Sequence, residues 1–396
     1  MQGVGESVLP MAVVRRDAVA WVWDAVRPGE EMCVKMNRQG LDADLPSEAN
    51  LRRKAGDRRK TMIGLPDGYT ARPATIEDGN AIVSFLNAYY RQLIGRDVSS
   101  AEQLASQLRM PGIDLAEDTR LVFDAEGNVA ALADALHFAP HVTVQAQGTV
   151  GHEHQGKGIG TAVLDWIEKR ALRALDLAPA EARVILMQSL DDRETSASAF
   201  LRQRGFTECR HFFRMLIDMA ERPPEPQWPD GTSVRSIEPE VDLEAAYRAS
   251  RDAFKDHWGH VDTPFEEGIQ RIRHRIENDP DFDVSLRFVA QDGDEIAAIC
   301  NASPKDGGDA TTGYIETLGV RRPWRRRGLA LALLLHTFGT FYDRGTRKVA
   351  LHVDTESLTG ATRLYEKAGM TVDELNHAFE KELRAGVDLS TQRVDP

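Results

Sequence analysis

Residues 313–330 read Gly313-Tyr314-Ile315-Glu316-Thr317-Leu318-Gly319-Val320-Arg321-Arg322-Pro323-Trp324-Arg325-Arg326-Arg327-Gly328-Leu329-Ala330. An extended run ends at Val320, an arginine-rich turn follows, and an apolar helical stretch opens at Leu329. A strand, a turn with small residues and a helix start together make an anion-binding geometry. Small side chains let the backbone approach a pyrophosphate, and successive N–H groups and the positive end of the helix satisfy its charge. The same arrangement stands earlier in the chain, where a strand ending at Val150 leads into Gln155-Gly156-Lys157-Gly158-Ile159-Gly160. The helix after it carries Ile159, Val163, Trp166 and Ile167 at i, i+4, i+7 and i+8.

Both loops fit R/Q-x-x-G-x-G/A. One copy carries little weight, because a helix start containing glycine accounts for it equally well. Two copies are another matter. Each follows a strand and is followed by Gly205-Phe206 or Gly369-Met370, 50 positions on from Gln155 and 44 on from Arg325.

Outward from the loops, the two halves repeat one order of elements. Each opens with a short strand, Tyr69–Pro73 or Ser233–Ile237, then a helical region. A hairpin follows at Asp124-Ala125-Glu126-Gly127-Asn128 or Asp292-Gly293-Asp294. Beyond each loop helix come a further strand, Arg183–Leu190 or Lys348–Asp354, and a last helix. This predicts two tandem domains of mixed α/β class, each an α+β mixed sheet. Between them, residues 221–231 pack four prolines into a polar stretch that favours extended chain. The expected organisation is therefore an extension over 1–66, loosely ordered and without a usable motif, a domain over 67–220, the linker 221–231 and a domain over 232–396.

Bulk properties narrow the function. A chain of 396 residues suits two domains, and its net charge of −13 lacks the footprint of a dedicated nucleic-acid binder. Cys33, Cys209 and Cys300 are far apart and show no C-x-x-C spacing, which points to a reducing, cytoplasmic compartment and to neither a disulfide framework nor a zinc site. No apolar run reaches the roughly 18 residues of a membrane span, and the start lacks the pattern of a signal peptide.

The paired loops resemble motif A of the GCN5-related N-acetyltransferase (GNAT) superfamily. Leu351-His352-Val353-Asp354, with Gly360-Ala361-Thr362-Arg363-Leu364-Tyr365-Glu366-Lys367-Ala368-Gly369-Met370, resembles its motif B. The likeness covers residues 69–218 and 232–384. It implies acetyl-CoA or another acyl-CoA as co-substrate, an amine as acceptor, and no metal. In architecture the tandem form is similar to the mycothiol synthases, which would make the acceptor a cysteinyl amine. A non-catalytic acyl-CoA sensor is the alternative.

Acyl transfer to an amine needs a base, a donor for the thioester oxygen and an acid for the departing thiolate. Strand alternation places Glu316, Leu318 and Val320 on one face, so Glu316 is the candidate base, directly or through water. The resemblance implies a bulge that frees the Leu318 N–H for the thioester oxygen, Val320 pairing with the pantetheine arm, and Tyr365 as general acid. A surface carboxylate and an aromatic core contact are their bland counterparts. Cofactor contacts are expected from Arg325, Arg326, Arg327, Gly328, Leu329 and Ala330, with Ser357 standing where the family commonly has Asn. In the first half they are expected from Val150, Gln155, Gly156, Lys157, Gly158, Ile159 and Gly160. That half has Val144 and Ala146 where an acid is needed and Leu201 at the tyrosine position, so it is expected to be non-catalytic. Asp256, His257 and Trp258 are candidate acceptor contacts, or else a helix cap and a buried ring.

Overall fold

The computed structural model describes Met62, residues 64–357 and residues 360–391. The extension expected over 1–66 falls almost wholly outside them. Strand β1 (Thr70–Arg72) leads through a turn closed by a Thr75–Asp78 capping box into helix α1 (Gly79–Ile94), which ends on Gly95 in the left-handed region at φ 80°. Helix α2 (Ala101–Leu108) is capped by Ser100, whose hydroxyl accepts from the Gln103 N–H. A short helix α3 (Leu115–Asp118) precedes β2 (Thr119–Phe123), β3 (Val129–His137) and β4 (Thr143–Val150). Then come α4 (Ile159–Ala171), β5 (Val184–Asp191), α5 (Thr195–Gln203) and β6 (Thr207–Asp218).

The second half repeats this order. Strand β7 (Thr232–Ser236) is followed by α6 (Pro239–Phe254), with its proline in the first turn, and α7 (Phe265–Asn278). Strands β8 (Arg287–Asp292), β9 (Glu295–Ser303) and β10 (Thr312–Val320) lead to α8 (Leu329–Asp343). The chain continues through β11 (Lys348–Asp354), α9 (Ala361–Lys367) and β12 (Thr371–Arg384).

All twelve strands form one sheet in the order β1-β2-β3-β4-β5-β12-β6-β11-β10-β9-β8-β7. A plain tandem repeat predicts that each half closes with its own last strand. Here the last strands are exchanged. Strand β12 pairs with β5 of the first half, β6 pairs with β11 of the second, and the two exchanged strands pair with each other. The apolar cores follow the exchange. Phe379 of β12 is fully buried with Ile159, Val163 and Ile167 of α4, whereas Met215 of β6 is fully buried with Leu329, Leu333 and Phe338 of α8. At ~1.5–3 kcal/mol per buried large apolar side chain, each half draws part of its stability from the other.

Candidate active site

Strands β10 and β11 run parallel, but they pair only from Thr312 opposite Lys348 to Tyr314 opposite Ala350. Beyond that point they diverge, so the edge of β10 that faces β11 has no strand partner from Ile315 to Val320. Between them opens a cavity of about 460 Å³ whose lining includes Leu318, Val320, Arg326, Ala330, His352 and Tyr365. The apolar side chains of Ile315, Leu351, Val353 and Leu329 belong to the core beneath it.

The register of β10 against β9 shifts between Ile315, opposite Ala302, and Thr317, opposite Asn301, which makes Glu316 the extra residue of a β-bulge. The bulge interrupts, at Glu316 itself, the alternation that would align it with Leu318 and Val320. Its carboxylate is buried between two arginines: Oε1 accepts from Arg275 Nη2 at 2.9 Å and Oε2 from Arg287 Nη1. Each oxygen therefore already takes a charge-assisted hydrogen bond, which ties the carboxylate to the two guanidinium groups. On the other wall, the buried His352 of β11 has its Nδ1 2.9 Å from the Tyr314 hydroxyl.

The loop at the mouth of the cavity has a fixed backbone. Gly328 sits at φ 91° before α8, and Arg326 adopts φ 62°, a conformation that L side chains seldom take and that clusters at ligand sites. The first-half loop has the same form, with Gly158 at φ 89° and Gly156 at φ 72°. Both loops are braced alike, for Arg325 Nε donates to the Val320 carbonyl at 3.0 Å and Gln155 Nε2 to the Val150 carbonyl at 3.2 Å. Arg326 makes no ion pair among the described residues, so its guanidinium remains available to an anion at the cavity mouth.

Asp256, one of the expected acceptor contacts, instead serves this loop. Its carboxylate accepts from Arg322 Nε at 2.7 Å and from Arg325 Nη1 at 2.5 Å. Burial works against its ionisation, but the two guanidinium groups outweigh burial and hold the carboxyl below its usual range. His257 lines the cavity and packs edge-on against Phe254 at 4.3 Å. Trp258 is buried under the Arg210 guanidinium at 5.1 Å and lies outside the cavity lining. Ser357 is likewise outside it, and its hydroxyl accepts from the Ala361 N–H at 3.4 Å, at the start of α9. Tyr365 is buried and lines the cavity, so it serves the core and faces the cleft at once.

The first half shares the splay and the loop but not the bulge or the tyrosine. Its parallel pair, β4 and β5, stops at Gln145 opposite Met187, yet β4 runs against β3 from Val144 to Val150 with no register shift. Leu201, at the position of Tyr365, is buried in the first core. His152 stacks on Tyr89 with centroids 4.4 Å apart, and His154 Nδ1 lies 3.0 Å from the Tyr69 hydroxyl. A Cβ on Gly158 would touch Pro66 at 3.6 Å, whereas one on Gly328 would meet no atom within 4 Å.

A solved GCN5-related N-acetyltransferase from Sphaerobacter thermophilus is 35% identical, with a TM-score of 0.68, over 82% of this chain and 99% of that one. The chain belongs to the GCN5-related N-acetyltransferase family. The family model for GNAT acetyltransferases matches residues 243–370 of this enzyme, the stretch that holds the bulge, the loop and Tyr365. The mycothiol acetyltransferase of Thermobispora bispora is 31% identical over 172 residues, and the match spans 42% of this chain but only 56% of that protein. The mycothiol acetyltransferase of Segniliparus rotundus is 29% identical over 276 residues, 67% of this chain and 96% of that one. This GNAT chain is thus an acyltransferase, and acyl-CoA is the donor its family uses. Among its described residues no helix is long and apolar enough to cross a membrane.

Sequence reasoning missed Arg275 and Arg287, and it quoted Tyr314 and His352 only as parts of motifs. A search for the counter-charges of Glu316 had no local signal to follow, because Arg275 lies 41 positions away in sequence.

Proposed function

We propose that the second half binds acetyl-CoA along the open edge of β10 and transfers its acetyl group to the primary amine of a small molecule. The observation that carries this reading is the coincidence, in that half, of a bulged strand, an open cleft and a loop with an available arginine. The co-substrate supplies an activated thioester. The N–H groups of the Arg326–Ala330 turn and the Arg326 guanidinium hold its pyrophosphate, and the Leu318 N–H receives the thioester oxygen.

The chain's own groups then handle the protons. With Nδ1–H donating to the Tyr314 oxygen, His352 carries its lone pair on Nε2 and takes a proton from the acceptor's ammonium, which frees the amine to attack. Glu316 fixes Arg275 and Arg287 and so shapes the acceptor side as a positioning residue. As the C–N bond forms and the C–S bond breaks, the Tyr365 phenol protonates the sulfur, and the second proton lost by the nitrogen restores the phenol. In the first half β4 carries no bulge and Leu201 stands in place of the tyrosine, so that half is assigned no chemistry. The names of the mycothiol acetyltransferase relatives make a cysteinyl amine the first acceptor to screen.

Thiol release from acetyl-CoA with a panel of amines tests this. His352→Gln and Tyr365→Phe are expected to lower kcat by ~10²–10⁴-fold and to leave acetyl-CoA affinity nearly unchanged. Unchanged turnover in both variants would remove these roles. Binding without turnover on any amine would favour the sensor.

A further inference from the structure

Strands β6 and β12 meet at the seam between the halves with His211 opposite His377. Their register shifts there, Ala378 standing opposite Arg210 and Phe379 opposite Glu208, which leaves Cys209 as an extra residue. Residues three apart on a regular strand point to opposite faces. The bulge at Cys209 instead turns Glu208 onto the face of His211. As a result Glu208 Oε1 lies 2.6 Å from His211 Nε2 and 2.8 Å from His377 Nδ1. The remaining nitrogen, His377 Nε2, lies 3.0 Å from Asp192 Oδ1, just beyond β5.

A count of protons makes this cluster unusual. Neutral imidazole has one N–H, and an ionised carboxylate only accepts. Both ring nitrogens of His377 face carboxylate oxygens. With the N–H on Nε2 toward Asp192, the lone pair of Nδ1 confronts Glu208 Oε1 at 2.8 Å. In that tautomer either a second proton on His377 or a metal ion resolves the contact.

We propose that His211, His377 and Glu208 form a binding site for a divalent transition metal of the zinc type. Three donor atoms from three side chains converge within 4.8 Å of one another, where a proton would need only two. Two imidazoles and one carboxylate are a zinc ligand set that leaves a fourth position for water, and imidazole selects against magnesium and calcium. A carboxylate on the remote nitrogen of a ligating histidine, as Asp192 provides, fixes the tautomer and strengthens the ligand. Bonds of ~2.0–2.1 Å in a tetrahedron separate ligand atoms by about 3.3 Å, so Glu208 must draw back from the two histidines by about 0.5–0.7 Å. Their partial exposure, 37% for His211 and 19% for His377, permits this and gives the ion a way in. His211 moves its proton to Nδ1 when Nε2 binds. The site lies apart from the acyl-transfer cleft, and an ion there ties together β12 and β6, the strands through which the halves are joined.

The test uses the full chain without an affinity tag, stripped with a chelator. Zinc chloride is titrated by calorimetry, and cobalt(II) is followed by its visible absorption. One zinc per chain is expected, with saturable binding lost in His211→Ala and His377→Ala and weakened about 10–100-fold in the conservative Asp192→Asn variant. His274→Ala, a histidine of α7, is expected to bind as the unaltered protein does. Circular dichroism and acetyl-CoA titration of each variant establish that it is folded. Absence of zinc binding by the unaltered protein, or binding that survives both histidine variants, would overturn the proposal and leave a proton holding the cluster.

Discussion

Gly328→Glu places a carboxylate where the cleft is proposed to hold a pyrophosphate. Crowding is not the difficulty, since a Cβ at Gly328 meets no atom within 4 Å. Backbone strain enters first. At φ 91° a residue with a side chain costs ~1–2 kcal/mol, a loss expected mainly in stability. Charge enters second. A carboxylate about 5 Å from one phosphate charge, at an effective dielectric of about 20, is repelled by ~3 kcal/mol, and salt trims this at an exposed loop. The expected result is acetyl-CoA affinity lower on the order of 100-fold, read by titration calorimetry. Gly328→Ala shares the strain without the charge and is expected to lose less than about tenfold. Gly158→Glu makes the same change on the first-half loop and is expected to leave affinity unchanged. Unaltered binding in Gly328→Glu would refute the placement. Loss confined to Gly158→Glu would move the working site to the first half.

Other expectations follow from burial and strand order. Phe379→Ala empties a fully buried site and should cost ~3–5 kcal/mol in denaturant unfolding. Because Phe379 packs in the first core, hydrogen exchange should rise first in α4, and a rise confined to α8 would contradict the exchange. Cys300 is buried and its thiol is pushed up to about 12 by that burial, so iodoacetamide at pH 8 should leave it unmodified in the native protein, as read by peptide mass spectrometry. Residues 232–396 alone lack β6 and leave the edge of β11 unpaired. They should aggregate or unfold, whereas the same segment with 207–218 fused to it should be better behaved; equal stability of the two would count against the exchange.

The parts of the fold that sequence made legible are those written locally. Glycines at 158 and 328, each after a strand and before an apolar helix, record a backbone turn whose positive φ few other residues allow, and that local demand identified both loops. Partner choice between strands leaves no such mark. Strands β6 and β12 each mix polar and apolar residues without strict alternation, and nothing in either pattern selects β5 or β11 as the partner. The bulge at Glu316 was anticipated from family resemblance and not from its own residues. The arginine clamp on that carboxylate, which recasts Glu316 from a base to an anchor in the proposed mechanism, joins three elements distant in sequence. Asp256 illustrates the same limit. Its neighbours His257 and Trp258 suggested an acceptor pocket, whereas its partners Arg322 and Arg325 lie 66 and 69 positions away.

Strand exchange also gives a physical account of why a half without catalytic groups remains. The cleft exists because β11 leaves β10 after Ala350, and a strand that parts from one neighbour must be held by the other. Strand β6 supplies that hold, pairing with β11 from Lys348 to Asp354 along the whole of the splayed segment. At its far end the buried Arg210 of β6 donates through Nε to Asp354 at 2.9 Å, fixing the tip of β11 from the first-half strand. A buried ion pair of this kind is costly to break from one side, ~3–5 kcal/mol, so the first half stabilises the open form of the cleft as well as the sheet. The absence of catalytic groups from the first half costs the enzyme nothing under this account, while loss of β6 removes the support of one wall of the site.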